Sequence, residues 1–265
     1  MNILDKITAH KRHEVEEKKQ ILPIPQLKQL PLFKRSTLAL TDRLISSDDP
    51  GIIAEYKRRS PSKGWIAKER DILEIAKGYQ QAGAAGMSVL TDLFFFGGRI
   101  QDLESIRVEI QLPLLRKDFI VDPYQIYEAK AYGADVILLI AECLNTEDIN
   151  EFTTIAQDLG MEVLMELHTS QELDKLNDRI NIVGINNRNL ETFVVDIQTS
   201  LELFHQIPDH FSRISESGIH SPKDAILLKK QGFDGFLIGE YFMKTPNPGI
   251  TCQHFIQAIH QNDQV

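Results

Sequence analysis

Cysteine is nearly missing from this 265-residue chain: Cys143 and Cys252 stand 109 positions apart. That spacing fits no metal-ligand or redox pair, so two reduced thiols are expected. Long apolar runs are missing too. The longest, residues 136–141, is far short of the roughly 20 residues that cross a bilayer. The opening MNILDKITAHKRHEVEEKKQ is too charged to contain the apolar stretch of a secretory signal, and a cytoplasmic protein is expected. Positive charge is in deficit, with 29 Lys and Arg against 38 Asp and Glu and a net charge of −9. This excludes the broad basic face that nucleic acid or an anionic membrane requires. It leaves room for a small phosphorylated ligand held by a local cluster of donors. Neither GxGxxG nor GxxxxGK[ST] occurs, and the eight histidines show no HxxxH or HExxH spacing, so no metal site is expected.

What is present is alternation, in a composition (42% hydrophobic, 25% charged) typical of globular proteins. Short β-rich apolar runs at 52–56, 87–91, 113–117, 135–141, 161–167, 180–186, 211–216 and 234–239 begin on average 26 residues apart. Each is too short for a helix and reads as a strand buried on both faces. Helical patterns lie between them at 72–81, 123–132, 149–158, 170–176 and 222–230. Cap candidates are Asp122, Thr146 and Ser221, and Gly83, Gly133, Gly160 and Gly232 stand near helix ends. Eight such units match an α/β protein of the (β/α)8 TIM-barrel class. A doubly wound sheet, the main rival, usually has fewer strands and a nucleotide fingerprint. Residues 1–50 stand apart: a charged helix carrying Ile3, Ile7 and Val15, then Pro23, Pro25 and Pro31, a helical stretch at 38–45, and a turn at Asp49-Pro50-Gly51. With few large apolar side chains, this is expected to be a helical extension packed on a catalytic barrel of residues 51–265.

Barrel active sites form at the C-terminal ends of the strands. If Ile53 faces the interior, alternation puts Glu55 and Lys57 in the mouth. By the same rule Lys117 and Phe119 follow Leu115, and Glu166 and His168 follow Leu164; His168 is expected as a polar rim residue. The sixth strand ends at Asn186 and Arg188, the seventh at Glu216, Ser217 and Gly218. One Lys or Glu at a strand end is usually a solvated charge. Two lysines, three glutamates and an asparagine at the ends of five strands are too costly to gather without a use. Gly218 and Gly239 are placed to let backbone N–H groups approach a phosphate, with a short helix at 240–244 facing it and the Glu240 carboxylate turned away. Of the aromatics, Phe94, Phe95 and Phe96 stand together, while Phe119 and Pro61 lie beside the acid–base candidates. Lys57, Arg58, Arg59 and Lys63 against Glu55, with Arg116, Lys117 and Arg188 on the same expected face, make a basic mouth. Crowding of Lys57 against Lys117 should push at least one lysine's pKa down, opposed by Glu55. A class I aldolase using Lys117 as Schiff-base nucleophile and a non-enzymatic sugar-phosphate binder remain as alternatives.

Seven ordered stretches, at 53–62, 88–92, 115–122, 162–166, 184–190, 215–219 and 236–240, resemble the indole-3-glycerol-phosphate synthase family of tryptophan biosynthesis, as does the opening with Ile3-Leu4-Asp5-Lys6-Ile7 and His10-Lys11-Arg12. The resemblance implies a phosphorylated small-molecule substrate, 1-(2-carboxyphenylamino)-1-deoxyribulose 5-phosphate. It closes to an indole ring with loss of CO2 and water and without a cofactor. It implies that Lys117 is the acid protonating the carbonyl as the ring carbon attacks, and Glu166 the base in the later dehydration. Lys57 would contact the phosphate end or carboxylate, with Glu55, Asn186 and Glu216 orienting these groups. Ser217, Gly218, Gly239 and Glu240 would hold the phosphate by backbone N–H groups. Ser60 and Arg188 would serve the polar ends, and Pro61, Phe96 and Phe119 would surround the aromatic ring. The chain departs from the family at Leu93-Phe94, where charged residues are frequent, and at Tyr241, where a small residue is common. A monomer is expected, with no nucleic-acid or membrane partner.

Overall fold

The computed structural model describes residues 3–46, 50–61, 63–68, 70–190 and 192–262; Ser62 of the first motif and Asp49 of the turn lie outside the described residues. Eight parallel strands close into a barrel: β1 (Ile52–Tyr56), β2 (Gly86–Leu90), β3 (Leu114–Lys117), β4 (Val136–Ile140), β5 (Glu162–Leu167), β6 (Ile182–Asn186), β7 (Ser212–Glu216) and β8 (Gly235–Ile238), with β8 hydrogen-bonded back to β1. Each lies within two residues of an apolar run in the sequence, and the TIM-barrel reading holds. The inner layer is Ile53, Leu115, Val136, Leu138, Ile140, Leu164, Ile182, Ile214 and Leu237. The opposite faces of the same strands pack with Met87, Leu114, Val163 and Val183 under the helices, which is why these strands show no polar alternation.

Three local expectations are corrected. Residues 170–175 wind as a 3-10 helix (Ser170–Lys175), because a Thr169–Glu172 capping box closes its first turn and Leu173 stands three residues before the C-cap Leu176, which fits that winding. The helix ahead of β1 shrinks to Thr41–Leu44, its backbone held by Glu162, whose Oε2 accepts from the N–H of Leu40 at 2.7 Å. The cap before Thr146–Asp158 is Asn145, which accepts from the Asp148 N–H, not Thr146. Ser221 does cap Pro222–Gln231, in a capping box with Asp224, and Asp122 accepts from the Tyr124 N–H at 2.8 Å.

The first residues touch both ends of the barrel. Leu40 and Leu44 pack under it against the strand-start glycines 86 and 235. The helix Ile3–Ile21 lies at the other end, over the loops after β2 and β3. Its anchor is Lys11, 1% exposed, whose Nζ sits 2.8 Å from Asp92 Oδ2 and 3.0 Å from Asp118 Oδ1. Burial would raise the Asp118 pKa, but Lys11 and Arg116 more than offset it and hold the carboxyl well below its ordinary range. Lys11→Met leaves two buried carboxylates without their shared cation, a change that costs about 3–5 kcal/mol and about 6–20 °C in Tm for a domain of this size. Since pairing depresses Asp118, its stabilisation is present above the unfolded carboxylate pKa and lost as pH falls through the depressed value. Thermal unfolding against pH should therefore show a large deficit for Lys11→Met at neutral pH that shrinks in acid. A Tm equal to wild type at pH 7 would show that Lys11 anchors nothing.

Candidate active site

The pleat turns Ile53, Leu115, Leu164 and Ile214 into the barrel, so the inward positions two residues on are Glu55, Lys117, Glu166 and Glu216. Register sets Asn186 beside Glu216 and Ile140 beside Glu166 across the sheet. Lys117 Nζ donates to Glu166 Oε2 and to Glu216 Oε2, each at 2.6 Å. Asn186 Nδ2 donates to Glu166 Oε1 at 3.0 Å, and Lys57 Nζ donates to Glu55 Oε1 at 2.5 Å. A Cβ at Gly184 would overlap Glu216 Oε1, and one at Gly239 would overlap Glu55 Oε1. Glycine at these two positions is what gives the carboxylates their room.

Three buried carboxylates therefore meet two ammonium groups. Burial would lower the Lys117 pKa, but Glu166, Glu216 and Glu55 more than offset it and drive it upward. The balance that the sequence leaves open between Lys57 and Glu55 falls to the carboxylates: the nearest charges to Lys117 are negative. Burial would raise Glu166, yet Lys117 and His168 hold it well below the carboxylate range. Glu216 is pushed up to about 7, by burial and by repulsion from Glu166 against the pull of Lys117. At neutral pH the site thus holds a charged ammonium, an ionised carboxylate and a carboxyl near its titration point.

Arg116 is a correction. It alternates outward from Lys117, is 1% exposed, and ties Asp118 (3.0 Å) and Glu128 (2.7 Å) behind the strand. The basic mouth is smaller than the sequence suggested. Arg58 turns to Asp102, Nη2 donating to Oδ1 at 2.9 Å, and Lys63 to Glu240. Lys57, Lys117 and Arg188 line the cavity. Ser60, Pro61, Phe96 and Phe119 line it as well, with the last two rings 6.0 Å apart.

The cavity's far side is formed by Ser217, Gly218, Gly239 and Glu240. Ser217 and Gly218 have φ of 64° and 75°, a left-handed conformation strained for serine. Asn187 clamps it, Nδ2 donating to the Ser217 carbonyl at 3.0 Å. The Glu240 carboxylate pairs with Lys63 and Lys244; burial would raise its pKa, but the two lysines bring it down to about 2. Tyr241 lines the cavity and packs on Phe242 and Phe255. Phe94, 61% exposed, stacks on His10 with ring centroids 4.6 Å apart, so this loop meets the first helix through apolar and aromatic contact.

The structure adds walls that sequence reasoning missed. Ile3, Leu4 and Ile7 of the first helix, and Leu190 and Phe193 after β6, line the cavity. The i, i+4 spacing of Ile3 and Ile7 was the available signal, but nothing in it named the surface that the helix covers. His168 is not on the rim. Its side chain is 7% exposed, with Nε2 3.3 Å from Glu166 Oε1. Among the described residues, neither Cys143 nor Cys252 joins a disulfide.

A closed parallel barrel with buried acid and base groups at the C-terminal ends of its strands defines a (β/α)8-barrel enzyme. The family description "Indole-3-glycerol phosphate synthase" matches residues 4–255. The chain belongs to that family. It is 48% identical over 258 residues to the indole-3-glycerol phosphate synthase of Bacteroides thetaiotaomicron, covering 97% of this chain and 99% of the relative. It is 45% identical to that of an Azoarcus species, covering 94% and 96%. Solved structures of similar shape include 3-hexulose-6-phosphate synthase from Salmonella typhimurium (TM-score 0.64, 11% identity, 80% of this chain and 99% of the other) and tryptophan synthase subunit alpha from Legionella pneumophila (0.61, 12%, 84% and 97%). At such identities the likeness is one of fold alone.

Proposed function

We propose that the chain is a carbon–carbon lyase acting as indole-3-glycerol phosphate synthase. It converts 1-(2-carboxyphenylamino)-1-deoxyribulose 5-phosphate to indole-3-glycerol phosphate, CO2 and water. The observation that carries this reading is Lys117 held at 2.6 Å from both Glu166 and Glu216 in a mouth walled by Phe96 and Phe119. Lys117 protonates the substrate carbonyl oxygen as the ring carbon attacks it. Loss of CO2 restores the aromatic ring, and Glu166 removes a carbon-bound proton as the hydroxyl leaves as water. No electrons are gained or lost overall, so the reaction calls for no redox cofactor.

In the resting site the acid is held too weak and the base too weak, each by the other. Substrate entering between Lys117 and Glu166 separates them, which brings both pKa values back toward neutrality and switches on the chemistry. Lys57, held by Glu55, meets an anionic end of the substrate. Asn186 and Glu216 orient Glu166 and Lys117. Backbone N–H groups at Ser217, Gly218, Gly239 and Glu240 receive the phosphate, and Ser60 and Arg188 meet its other polar groups, with Pro61 beside the ring. The reading divides the chain into an extension of residues 1–50 and a catalytic barrel of residues 51–265, and takes it to work as a cytoplasmic monomer. No described helix is long and apolar enough to cross a membrane.

With the ribulose phosphate substrate, the expected result is indole fluorescence and CO2 in equal amounts. Borohydride added during turnover should leave no substrate attached to Lys117. Covalent trapping there would replace this reading with the aldolase mechanism, and absence of both products would sink it.

A further inference from the structure

The proposed reaction takes in a carboxylate and releases neutral CO2, while loss of water leaves charge unchanged. One proton must therefore enter from solvent in each turnover. The reacting pair is poorly placed to collect it, since Glu166 is 3% and Lys117 15% exposed and bound substrate fills the mouth above them. A second route runs sideways. His168, the residue after β5, sets Nε2 3.3 Å from Glu166 Oε1 and Nδ1 3.8 Å from Glu142 Oε2. Exposure rises along this series, from 3% at Glu166 through 7% at His168 to 33% at Glu142. Both imidazole nitrogens are buried without a geometrically formed hydrogen bond, and an idle buried polar ring is costly.

The other groups around the ring have settled duties. Glu172 Oε2 accepts from the backbone N–H of His168 (2.6 Å) and Thr169 (3.2 Å). Lys175 donates to the carbonyls of Ala141 and Leu144, fixing the turn that carries Glu142. Cys143 is pushed up to about 12 by burial and the carboxylates around it, so its thiol keeps its proton. Burial would lower the His168 pKa, but Glu166, Glu172 and Glu142 more than offset it and raise it. We read the three carboxylates around this ring as electrostatic and capping partners, not as a metal centre.

We propose that Glu142, His168 and Glu166 form a proton path from solvent to the reacting pair, an inference that rests on the ring-closure reading above. A proton arriving at His168 Nδ1 from Glu142, which takes it from solvent, is matched by release of the Nε2 proton to Glu166. Glu166 passes it to Lys117 Nζ and restores the acid. Only N–H and O–H bonds change, and the ring regains its starting tautomer by exchange with water when product leaves.

The test begins with wild type in weakly buffered solution containing a pH dye, where one proton should vanish per indole formed before hydration of the released CO2 gives protons back. Loss of the indole signal itself would overturn the reaction and the path together. His168→Gln keeps a side-chain N–H for Glu166 but has no titrating nitrogen, and Glu142→Gln removes only the outer carboxylate. The path requires kcat to fall about tenfold in His168→Gln and about threefold in Glu142→Gln, with KM within about twofold of wild type. The deficit should widen as pH rises, and added imidazole should recover most of the activity of His168→Ala. A deficit equal at every pH and unmoved by imidazole would make His168 only a positioning residue for Glu166 and overturn the path. Unchanged kcat in Glu142→Gln, on the exposed side where folding is not at risk, would overturn it as well.

Discussion

Lys117→Ala is expected to lower kcat by at least about 10³, or about 4 kcal/mol of transition-state stabilisation. Two losses combine. The first is the ammonium proposed to protonate the carbonyl. The second is the cation that keeps Glu166 ionised, since Glu166 and Glu216 are 3% and 2% exposed and Lys117 is the shared partner at 2.6 Å from both. Without it, burial raises the pKa of Glu166, and the base is protonated when it is needed. Affinity for the product should change by less than about tenfold, because the phosphate and aromatic walls are untouched. The checks are steady-state kinetics, product titration by indole fluorescence and a circular dichroism spectrum matching wild type. A variant with wild-type kcat and only a raised KM would reduce Lys117 to a binding group.

Glu166→Gln should also remove turnover, by about 10²–10⁴, but it should stop the reaction at a different point. Glutamine keeps the shape and an oxygen for Lys117, so the acid remains in place and ring closure with loss of CO2 can proceed. What fails is removal of the carbon-bound proton. CO2 release should therefore run ahead of indole formation in a single turnover, and product binding should stay close to wild type. Turnover retained in Glu166→Gln, or CO2 and indole suppressed in step, would refute its role in dehydration.

The two variants separate an acid from a base that the resting structure presents as one ion pair. That separation matters because static geometry pairs Lys117 with Glu166 and Glu216 equally. Only their differing environments tell them apart: Glu166 is also bonded by Asn186 and faced by His168, whereas Glu216 has one buried oxygen without a partner.

The strands could be read from the chain because a parallel barrel buries both faces of each one, and runs such as 136–140 stay apolar throughout. With their ends in place, the period of two assigns Glu55, Lys117 and Glu166 to one mouth, and Glu216 stands at the end of the seventh strand. The same rule, had it been applied to Arg116, would have turned it outward, where it serves Asp118 and Glu128; charge type misled where alternation did not. The 170–176 segment carries only a weak helical periodicity, and its local capping box sets a short 3-10 helix.

Local pattern thus determined the barrel, its units and the strand ends that carry the chemistry, since backbone period and burial are properties of neighbouring residues. The tertiary structure alone decided that the first helix walls the cavity through Ile3, Leu4 and Ile7 and is tied there by Lys11. It also decided that His168 lies against Glu166 and that Lys117 is raised and not lowered in pKa. Those outcomes depend on which charges meet across the barrel after burial. Coulombic energies in a dry interior follow distance and solvent access, and neither is set by separation along the chain.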